Sequence, residues 1–114
     1  MKYVLMLCSD VAYRTDLERA AAETGPACAT WGEEVARRGA MLSSAGLRPA
    51  TDATTVRVRN GEVLLTDGPF AETKDQIGGF SVIEAADLDE ALELAAKHPW
   101  AAVGQIEVRP VWEP

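Results

Sequence analysis

The stretch Asp67–Phe80 holds the side chains that are hardest to explain as parts of an ordinary strand or helix. Asp67 is a candidate catalytic base or ligand-binding carboxylate; the alternative is a turn residue that bonds to its own loop, because Asp-Gly-Pro favours turns. Phe70 could stack on a ligand or anchor the loop in the core. Glu72 and Lys74 could place an acid and a cation at the entrance of a cleft, or belong to a solvated charged loop.

Three candidates lie outside this stretch. His98, the single histidine, titrates near neutrality and could act as a general base, or it could interact with the last carbonyls of the helix that it follows. Arg57 and Arg109 could bind an anionic ligand, or they could pair with neighbouring glutamates at the surface. The catalytic candidates are therefore Asp67 and His98. The predicted ligand-binding residues are Asp67, Phe70, Glu72, Lys74, Arg57 and Arg109.

Two other kinds of site have little support. His, Cys and carboxylate residues nowhere have the spacing of metal ligands, and Gly78-Gly79 lacks the strand, glycine and lysine context of a phosphate-binding loop. Close packing of the backbone explains these glycines better. Cys8 and Cys28 are interpreted as reduced thiols in the core. The sequence thus predicts no metal and no cofactor.

Length and charge restrict the function classes further. The chain has 114 residues, which suits one domain over residues 1–114 with one core. Its formal charge of −7 argues against a nucleic-acid partner, since affinity for phosphates depends on clustered Lys and Arg. No apolar run is long enough to predict a membrane span, and the apolar start Tyr3–Cys8 lacks the basic lead of a signal peptide. We therefore expect a cytoplasmic protein without a membrane partner.

The first half of the chain predicts a strand and two short helices. Lys2–Cys8 is apolar on both alternating faces, as in a strand that is covered by helices on one side and by something else on the other. Thr15 begins a capping box, and the helix that it opens is predicted to end near Pro26. A second helix is predicted over Ala27–Arg38. Met41–Ala53 is predicted to be a loop or a short irregular strand.

Asn60-Gly61 predicts a β-hairpin, because a two-residue type I′ turn requires positive φ at both positions. The hairpin joins Thr54–Arg59 to Glu62–Thr66, and the turn determines the register. The predicted pairs are Arg59 with Glu62, Arg57 with Leu64, Val58 with Val63, and Val56 with Leu65. The last two pairs are predicted to face the core, which leaves the charged pairs on a wet face or in a cleft.

The second half predicts a strand, a capped helix and a last strand. These are Phe80–Glu84, a helix that starts at Asp87 and stops at His98-Pro99, and Gln105–Trp112, in which Pro110 suggests an edge position or a strand end. The order of elements predicts an α+β fold with an antiparallel sheet and helices on one face. The uncovered face would carry Tyr or Val side chains from the first strand, and such an apolar face predicts a homodimer.

The residues Asp67-Gly68-Pro69-Phe70-Ala71-Glu72-Thr73-Lys74, with Gln76 and Gly78-Gly79-Phe80 after them, resemble the signature of the DGPF-type branch of the YCII-related family. Four further segments also resemble that family, and together they cover most of the chain: Lys2–Leu5, Thr54–Gly61, Asp87–Ala91 and Val108–Trp112. The resemblance implies a ferredoxin-like domain that pairs by its sheet into a dimeric α/β barrel. This agrees with the homodimer expected from the apolar face.

The resemblance also bears on activity. Some YCII-like relatives are discussed as enzymes with a His and an Asp that face each other in a pocket, and one kind is a dehydrochlorinase of a hydroxylated chloroaromatic. Here His98 stands where those relatives tend to have the Asp, and Ala27–Trp31 contains no His, so that dyad is not matched. DGPF-type proteins also tend to be encoded beside extracytoplasmic-function sigma factors, which implies a regulatory alternative.

The leading hypothesis is a cytoplasmic homodimer that binds a small anionic or aromatic molecule in a cleft bordered by Asp67–Lys74, with a weak lyase-like or other activity at most. The alternative is a non-enzymatic interaction or regulatory module, linked to a sigma factor, in which the same loop is a docking surface.

Overall fold

The computed structural model describes residues 1–10, 14–68 and 75–113. Within these ranges the chain forms strands and helices with one short 3-10 turn at Ala50–Asp52. The strands are β1 (Lys2–Asp10), β2 (Met41–Gly46), β3 (Thr54–Arg59), β4 (Glu62–Asp67), β5 (Asp75–Glu84) and β6 (Gln105–Pro110). The helices are α1 (Arg14–Arg37), α2 (Leu88–Ala96) and α3 (Trp100–Val103).

Four of these strands form one antiparallel sheet in the order β2-β5-β1-β6, while β3 and β4 pair separately. Without the β3–β4 hairpin, the chain runs strand, helix, strand, strand, helix, strand, which is the order of a ferredoxin-like domain. The predicted α+β class with an antiparallel sheet is thereby confirmed. The last strand, β6, lies at an edge of the sheet, as its Pro110 indicates.

The core lies on the face of the sheet that the helices cover. Tyr3, Leu5 and Ile83 project from this face and are at most 2% exposed. Val35 of α1 and Leu94 of α2 pack into the same cluster. Tyr3 therefore does not belong to the uncovered face, and the prediction that placed a Tyr or Val there holds only for valine.

The opposite face carries the alternate residues of the same strands. Val4 pairs with Val82, and Met6 pairs with Phe80, in the β1–β5 register. All four side chains are partly exposed, because none of the described helices lies over them. We refer to this surface, formed by Val4, Met6, Phe80 and Val82, as the open face.

Helix α1 is continuous where the sequence predicts two helices. Pro26 lies inside it, although an interior proline removes one backbone hydrogen bond and costs roughly 3 kcal/mol. The residues after the proline place Trp31 and Val35 in the core, and this burial favours continuation of the helix. Thr30 Oγ1 also donates to the carbonyl of Pro26 at 3.1 Å. The prediction of a helix end near Pro26 is wrong because tertiary packing outweighs the local cost.

Strand β5 begins at Asp75, five residues before the predicted start at Phe80. The glycines Gly78 and Gly79 therefore lie within the strand. A Cβ on Gly79 would stand 3.1 Å from the carbonyl oxygen of Ala45 on β2, so a side chain there would press on the neighbouring strand. Close approach of the two backbones explains why this position is a glycine. Strand β2 pairs with β5 here, with a register shift, so the short irregular strand is the alternative for Met41–Ala53 that the structure contains.

The β3–β4 hairpin confirms the predicted register and contradicts the predicted burial. Its turn has positive φ at Asn60 (51°) and Gly61 (77°), and all four predicted pairs are present. The four side chains predicted to face the core are instead 57–67% exposed: Val56, Val58, Val63 and Leu65. The hairpin forms its own two-stranded sheet, and no described helix covers it. We call these four side chains the hairpin patch.

The α2 region is close to its prediction. The Asp87 side chain accepts a hydrogen bond from the backbone N–H of Glu90 at 2.9 Å, which is the predicted N-terminal cap. The helix ends at Ala96, just before His98-Pro99. The four-residue helix α3 follows and is not predicted by the sequence pattern, because Trp100-Ala-Ala-Val is too short to show a period.

Candidate functional site

The cleft of interest lies on the helical side of the sheet, between α1, the β2–β5 edge and the start of α3. Its volume is about 510 Å³, which is within the usual range for small-molecule sites. It is lined mainly by apolar and aromatic groups, among them Leu7, Trp31, Met41 and Trp100. None of the described residues that line it carries a fixed charge. We name it the His98 cleft, after the histidine in its wall.

His98 is held in the wall from two sides. His98 lies just after α2, and its backbone N–H donates to the carbonyl of Ala95 at 3.1 Å. The ring does not contact the last carbonyls of α2; Nδ1 accepts the backbone N–H of Trp100 at 3.0 Å, across Pro99. The Trp31 ring meets the imidazole edge-on, with centroids 4.5 Å apart. His98 is only 5% exposed as a result.

These contacts fix the protonation state of His98. Burial lowers the pKa of His98 below its usual value of 6.5, so the ring is neutral at pH 7. Because Nδ1 accepts a hydrogen bond, the single ring proton of the neutral form must be on Nε2. No described residue bonds to Nε2. His98 thus presents an N–H donor, whereas a general base would need an available lone pair.

Both tryptophans that line the cleft have their indole N–H groups occupied. Trp31 Nε1 donates to the carbonyl of Leu94, and Trp100 Nε1 donates to the carbonyl of Cys8, each at 3.0 Å. Gly104 makes room for the second bond, since a Cβ there would lie 2.7 Å from Trp100 Nε1. The indole rings are therefore anchored walls, and they have no side-chain donor left for a ligand.

Two serines form the polar part of the sheet side of the cleft. Ser44 Oγ lies 3.3 Å from the carbonyl oxygen of Phe80 and 3.1 Å from Ser81 Oγ. If Ser44 donates to the carbonyl, Ser81 must donate to Ser44, because each hydroxyl has one proton. Both protons are then used. Ser81 retains an acceptor lone pair, and it is 2% exposed.

The cleft also contains a thiol. Cys28 of α1 is a partly buried free cysteine in its wall. Cys8 lies in strand β1 and Cys28 in helix α1, and both are partly buried and stand outside the core cluster in which the sequence places them.

A second recess, of about 500 Å³, lies on the opposite side of the sheet. Met6 and Cys8 line it, whereas Leu7 between them lines the His98 cleft, as alternation along a strand requires. Arg109 belongs to this recess, and its Nη2 donates to Glu107 Oε2 at 2.7 Å. The surface pairing considered for Arg109 is therefore present.

Asp67 and Arg57 lie on the hairpin. Asp67 is the last residue of β4, is exposed and pairs with Thr54. The next residue is Gly68, whose φ of 91° suits glycine and whose N–H donates to the carbonyl of Ala53. Arg57 pairs with Leu64 in the middle of the hairpin. Neither residue lines the His98 cleft or the Arg109 recess.

Three predicted ligand-binding residues, Phe70, Glu72 and Lys74, lie outside the described residues. The described structure therefore brings His98 into a cleft and Arg109 into a separate recess, and it places Asp67 and Arg57 away from both. The stretch after Asp67 leads into β5, whose Gly78–Ser81 segment forms part of the floor of the His98 cleft.

Sequence reasoning did not identify Trp31, Trp100 and Ser81 as parts of one site. Trp31 lies in the helix predicted over Ala27–Arg38, and Trp100 follows a proline without a periodic pattern. Ser81 offers the clearest signal, since it is a polar residue on the strand face that carries Ile83. A small hydroxyl at a helix-covered position indicates a polar contact within the core.

The described residues offer neither a membrane-spanning helix nor a metal site. No described helix is long and apolar enough to cross a membrane. Across residues 1–10, 14–68 and 75–113, no three His, Cys, Asp or Glu side chains come together in an arrangement that could hold a metal ion.

One solved structure with a similar fold is 5-chloro-2-hydroxyhydroquinone dehydrochlorinase from Burkholderia phenoliruptrix AC1100, in complex with 2,5-dihydroxybenzoquinone. The TM-score is 0.60, and the alignment covers 100% of this chain and 96% of that chain at 13% sequence identity. At this identity the likeness shows the fold.

Two sequence comparisons identify relatives. An uncharacterized protein of Rhizobium meliloti (strain 1021) is 49% identical over 69 residues, which are 59% of this chain and 56% of the relative. The match therefore spans little more than half the length of that relative. A family model described as the YCII-related domain matches residues 1–114. Since that match covers the whole chain, the protein belongs to the YCII-related family.

Proposed function

We propose that this protein binds a small aromatic molecule in the His98 cleft. The observation that carries the proposal is a buried histidine with one ring nitrogen unbonded, in the wall of a cleft that two anchored tryptophans also line. Such a combination of apolar walls with few oriented polar groups is typical of small-molecule sites. The absence of charge among the described lining residues favours aromatic over anionic character, because a buried anion needs a partner.

The structural neighbour supports the same ligand class. That protein is a dehydrochlorinase in complex with a dihydroxybenzoquinone, and it shares the fold over this whole chain. A lyase-like activity in this chain would need a general base. The lone pair of His98 Nδ1 is occupied by Trp100 N–H, so binding without catalysis by His98 is the proposal. Asp67 does not line the His98 cleft, so the proposal does not rest on the Asp67–Lys74 stretch.

We further propose that the protein is a cytoplasmic homodimer of the DGPF-type branch. Asp67–Lys74 carries the branch signature, and the open face supplies apolar residues that suit a second copy. Pairing of two open faces would give the dimeric α/β barrel that the family resemblance implies.

The hairpin patch favours a second candidate function, docking of a protein partner. An isolated two-stranded hairpin is marginally stable in water, and this one exposes four large apolar side chains on one face. A regulatory module, linked to a sigma factor as the resemblance implies, would use such a surface. This function does not need the His98 cleft.

A thermal-shift experiment separates the two candidates. A ligand that binds only the folded state raises the Tm, so acetophenone and simple phenols should raise it for the wild type. Gly32→Leu should abolish this shift, because Gly32 lines the cleft and a Cβ there meets no atom within 4 Å. Ala36→Leu, exposed one turn along the same helix, is the matched control and should retain it. An unchanged Tm in the wild type would contradict the proposed binding function.

A further inference from the structure

The His98 cleft has an uneven supply of hydrogen-bonding groups. Both indole N–H groups are donated to carbonyls of the protein, and the two serine hydroxyls bond to each other and to the Phe80 carbonyl. Among the side chains that the structure describes in this cleft, His98 Nε2–H is the one strong donor left for a ligand. The Cys28 thiol is a weak donor.

The position of this donor is set by the turn at His98-Pro99-Trp100. The ring accepts the N–H two residues ahead, which is the bond that Asn and Asp side chains make in turns of this kind. Rotation of the ring would break this buried bond and the edge contact with Trp31. The remaining nitrogen, Nε2, is therefore held in one direction. The His98 residue as a whole is only 5% exposed.

We propose that His98 is the specificity-determining residue of the cleft, and that its Nε2–H donates to a carbonyl oxygen on an aromatic or quinonoid ring held between Trp31 and Trp100. This inference rests on the proposed function and names its ligand class. A ring without an acceptor would cover this donor and leave it without a partner, which costs free energy, so the site discriminates against a ring of the same shape that has no acceptor. A cationic ring is disfavoured as well, because the described walls offer it no anion.

Two variants test the acceptor role of Nδ1 and the donor role of Nε2 one at a time. In His98→Asn, Oδ1 can replace Nδ1 as the acceptor for Trp100 N–H, whereas no group reaches the position of Nε2. In His98→Gln, the longer amide can place an N–H near the position of Nε2 but does not reproduce the turn. We expect His98→Asn to remain folded and lose recognition of the carbonyl. We expect His98→Gln to be less stable and to retain part of it.

The probes are acetophenone and ethylbenzene, which have similar rings and size but differ in the carbonyl oxygen. Binding is measured by NMR titration of the protein, with the folded state checked by circular dichroism. Acetophenone should bind the wild type about threefold to tenfold more tightly than ethylbenzene, as the net value of one neutral hydrogen bond predicts. This preference should disappear in His98→Asn and persist in part in His98→Gln.

A ¹⁵N spectrum of the imidazole tests the donor directly, without any ligand. The expected tautomer has the proton on Nε2, and a proton on Nδ1 would overturn the inference. Equal affinity for the two probes, or a preference that survives in His98→Asn, would overturn this inference alone, provided that the rings bind. If neither probe nor any phenol binds, the proposed function fails and this inference fails with it.

Discussion

His98 connects the local turn to the chemistry of the cleft. The residue has two nitrogens in different surroundings, one bonded to Trp100 N–H and one unbonded in the wall of the cleft. The sequence identifies His98 as a candidate because it is the single histidine. It does not show which nitrogen would be available, since that depends on the turn around Pro99 and on the fold that buries the ring.

The lowered pKa of His98 predicts a pH dependence of stability. Its physical cause is burial, which disfavours the charged ring in the folded state. In the unfolded chain His98 binds a proton near pH 6.5, whereas in the folded chain it binds one only at a lower pH. The free energy of unfolding should therefore decrease as the pH falls below this value toward the folded pKa.

Urea denaturation at a series of pH values measures this effect, with His98→Asn as the matched variant. The wild type should lose more stability between pH 7 and about pH 5 than the variant, since carboxylates titrate in both proteins. Parallel pH profiles for the two proteins would show that His98 is not the group responsible.

Gly104 provides a second prediction at the scale of one residue. A Cβ at this position would stand 2.5 Å from the carbonyl oxygen of Cys8 and 2.7 Å from Trp100 Nε1. Gly104→Ala should therefore lower the free energy of unfolding by about 1–3 kcal/mol, the usual cost of overpacking. Gly46→Ala is the control, because a Cβ there meets no atom within 4 Å. Equal effects of the two substitutions in denaturant titrations would contradict the close contact at Gly104.

At the scale of elements, local signals were sufficient where a short motif determines the geometry. The Asn60-Gly61 turn and the Asp87 cap were both predicted from a few residues, and both are present. The continuity of α1 through Pro26 was not predictable, because it depends on packing of Trp31 and Val35 against a distant sheet. The prediction that one face of the hairpin is buried was wrong for a similar reason. Alternation indicates that this face is apolar, but it does not show what covers it.

The N-terminal cap of α2 gives a prediction about the stability that this helix contributes. Asp87→Ala removes the acceptor for Glu90 N–H and should lower the free energy of unfolding by about 0.5–2 kcal/mol. Asp87→Asn keeps a side-chain oxygen at the cap and should cost much less. Urea denaturation of the three proteins checks this order. If the Asn variant is destabilised as much as the Ala variant, the hydrogen bond is not the source of the effect.

For the whole molecule, the most consequential feature is that the described helices leave two apolar surfaces uncovered, the open face and the hairpin patch. The open face consists of Val4, Met6, Phe80 and Val82, opposite the helices. The candidate site lies on the helical side, so the proposed ligand binding and the proposed pairing of subunits would use different faces of one sheet. The sequence predicted the apolar second face from the two-sided pattern of its first strand, but it placed the site at the Asp67–Lys74 stretch.

The homodimer is tested by a charge placed on the open face. Val82→Glu puts a carboxylate in the middle of this surface, where a second copy could not solvate it. We expect light scattering to report a dimer for the wild type and a monomer for the variant at micromolar concentration. Glu33→Gln, on the exposed side of α1, should remain a dimer. A monomeric wild type would exclude pairing through this face.

The central claim, an aromatic ligand in the His98 cleft, is tested most directly by the indole N–H signals of the three tryptophans. Trp31 and Trp100 line the cleft, whereas Trp112 is 94% exposed outside it and serves as an internal reference. During an NMR titration with acetophenone, a neutral aromatic probe, the Trp31 and Trp100 signals should shift to saturation while the Trp112 signal stays in place. Unchanged Trp31 and Trp100 signals, or a shift of Trp112 alone, would contradict the claim.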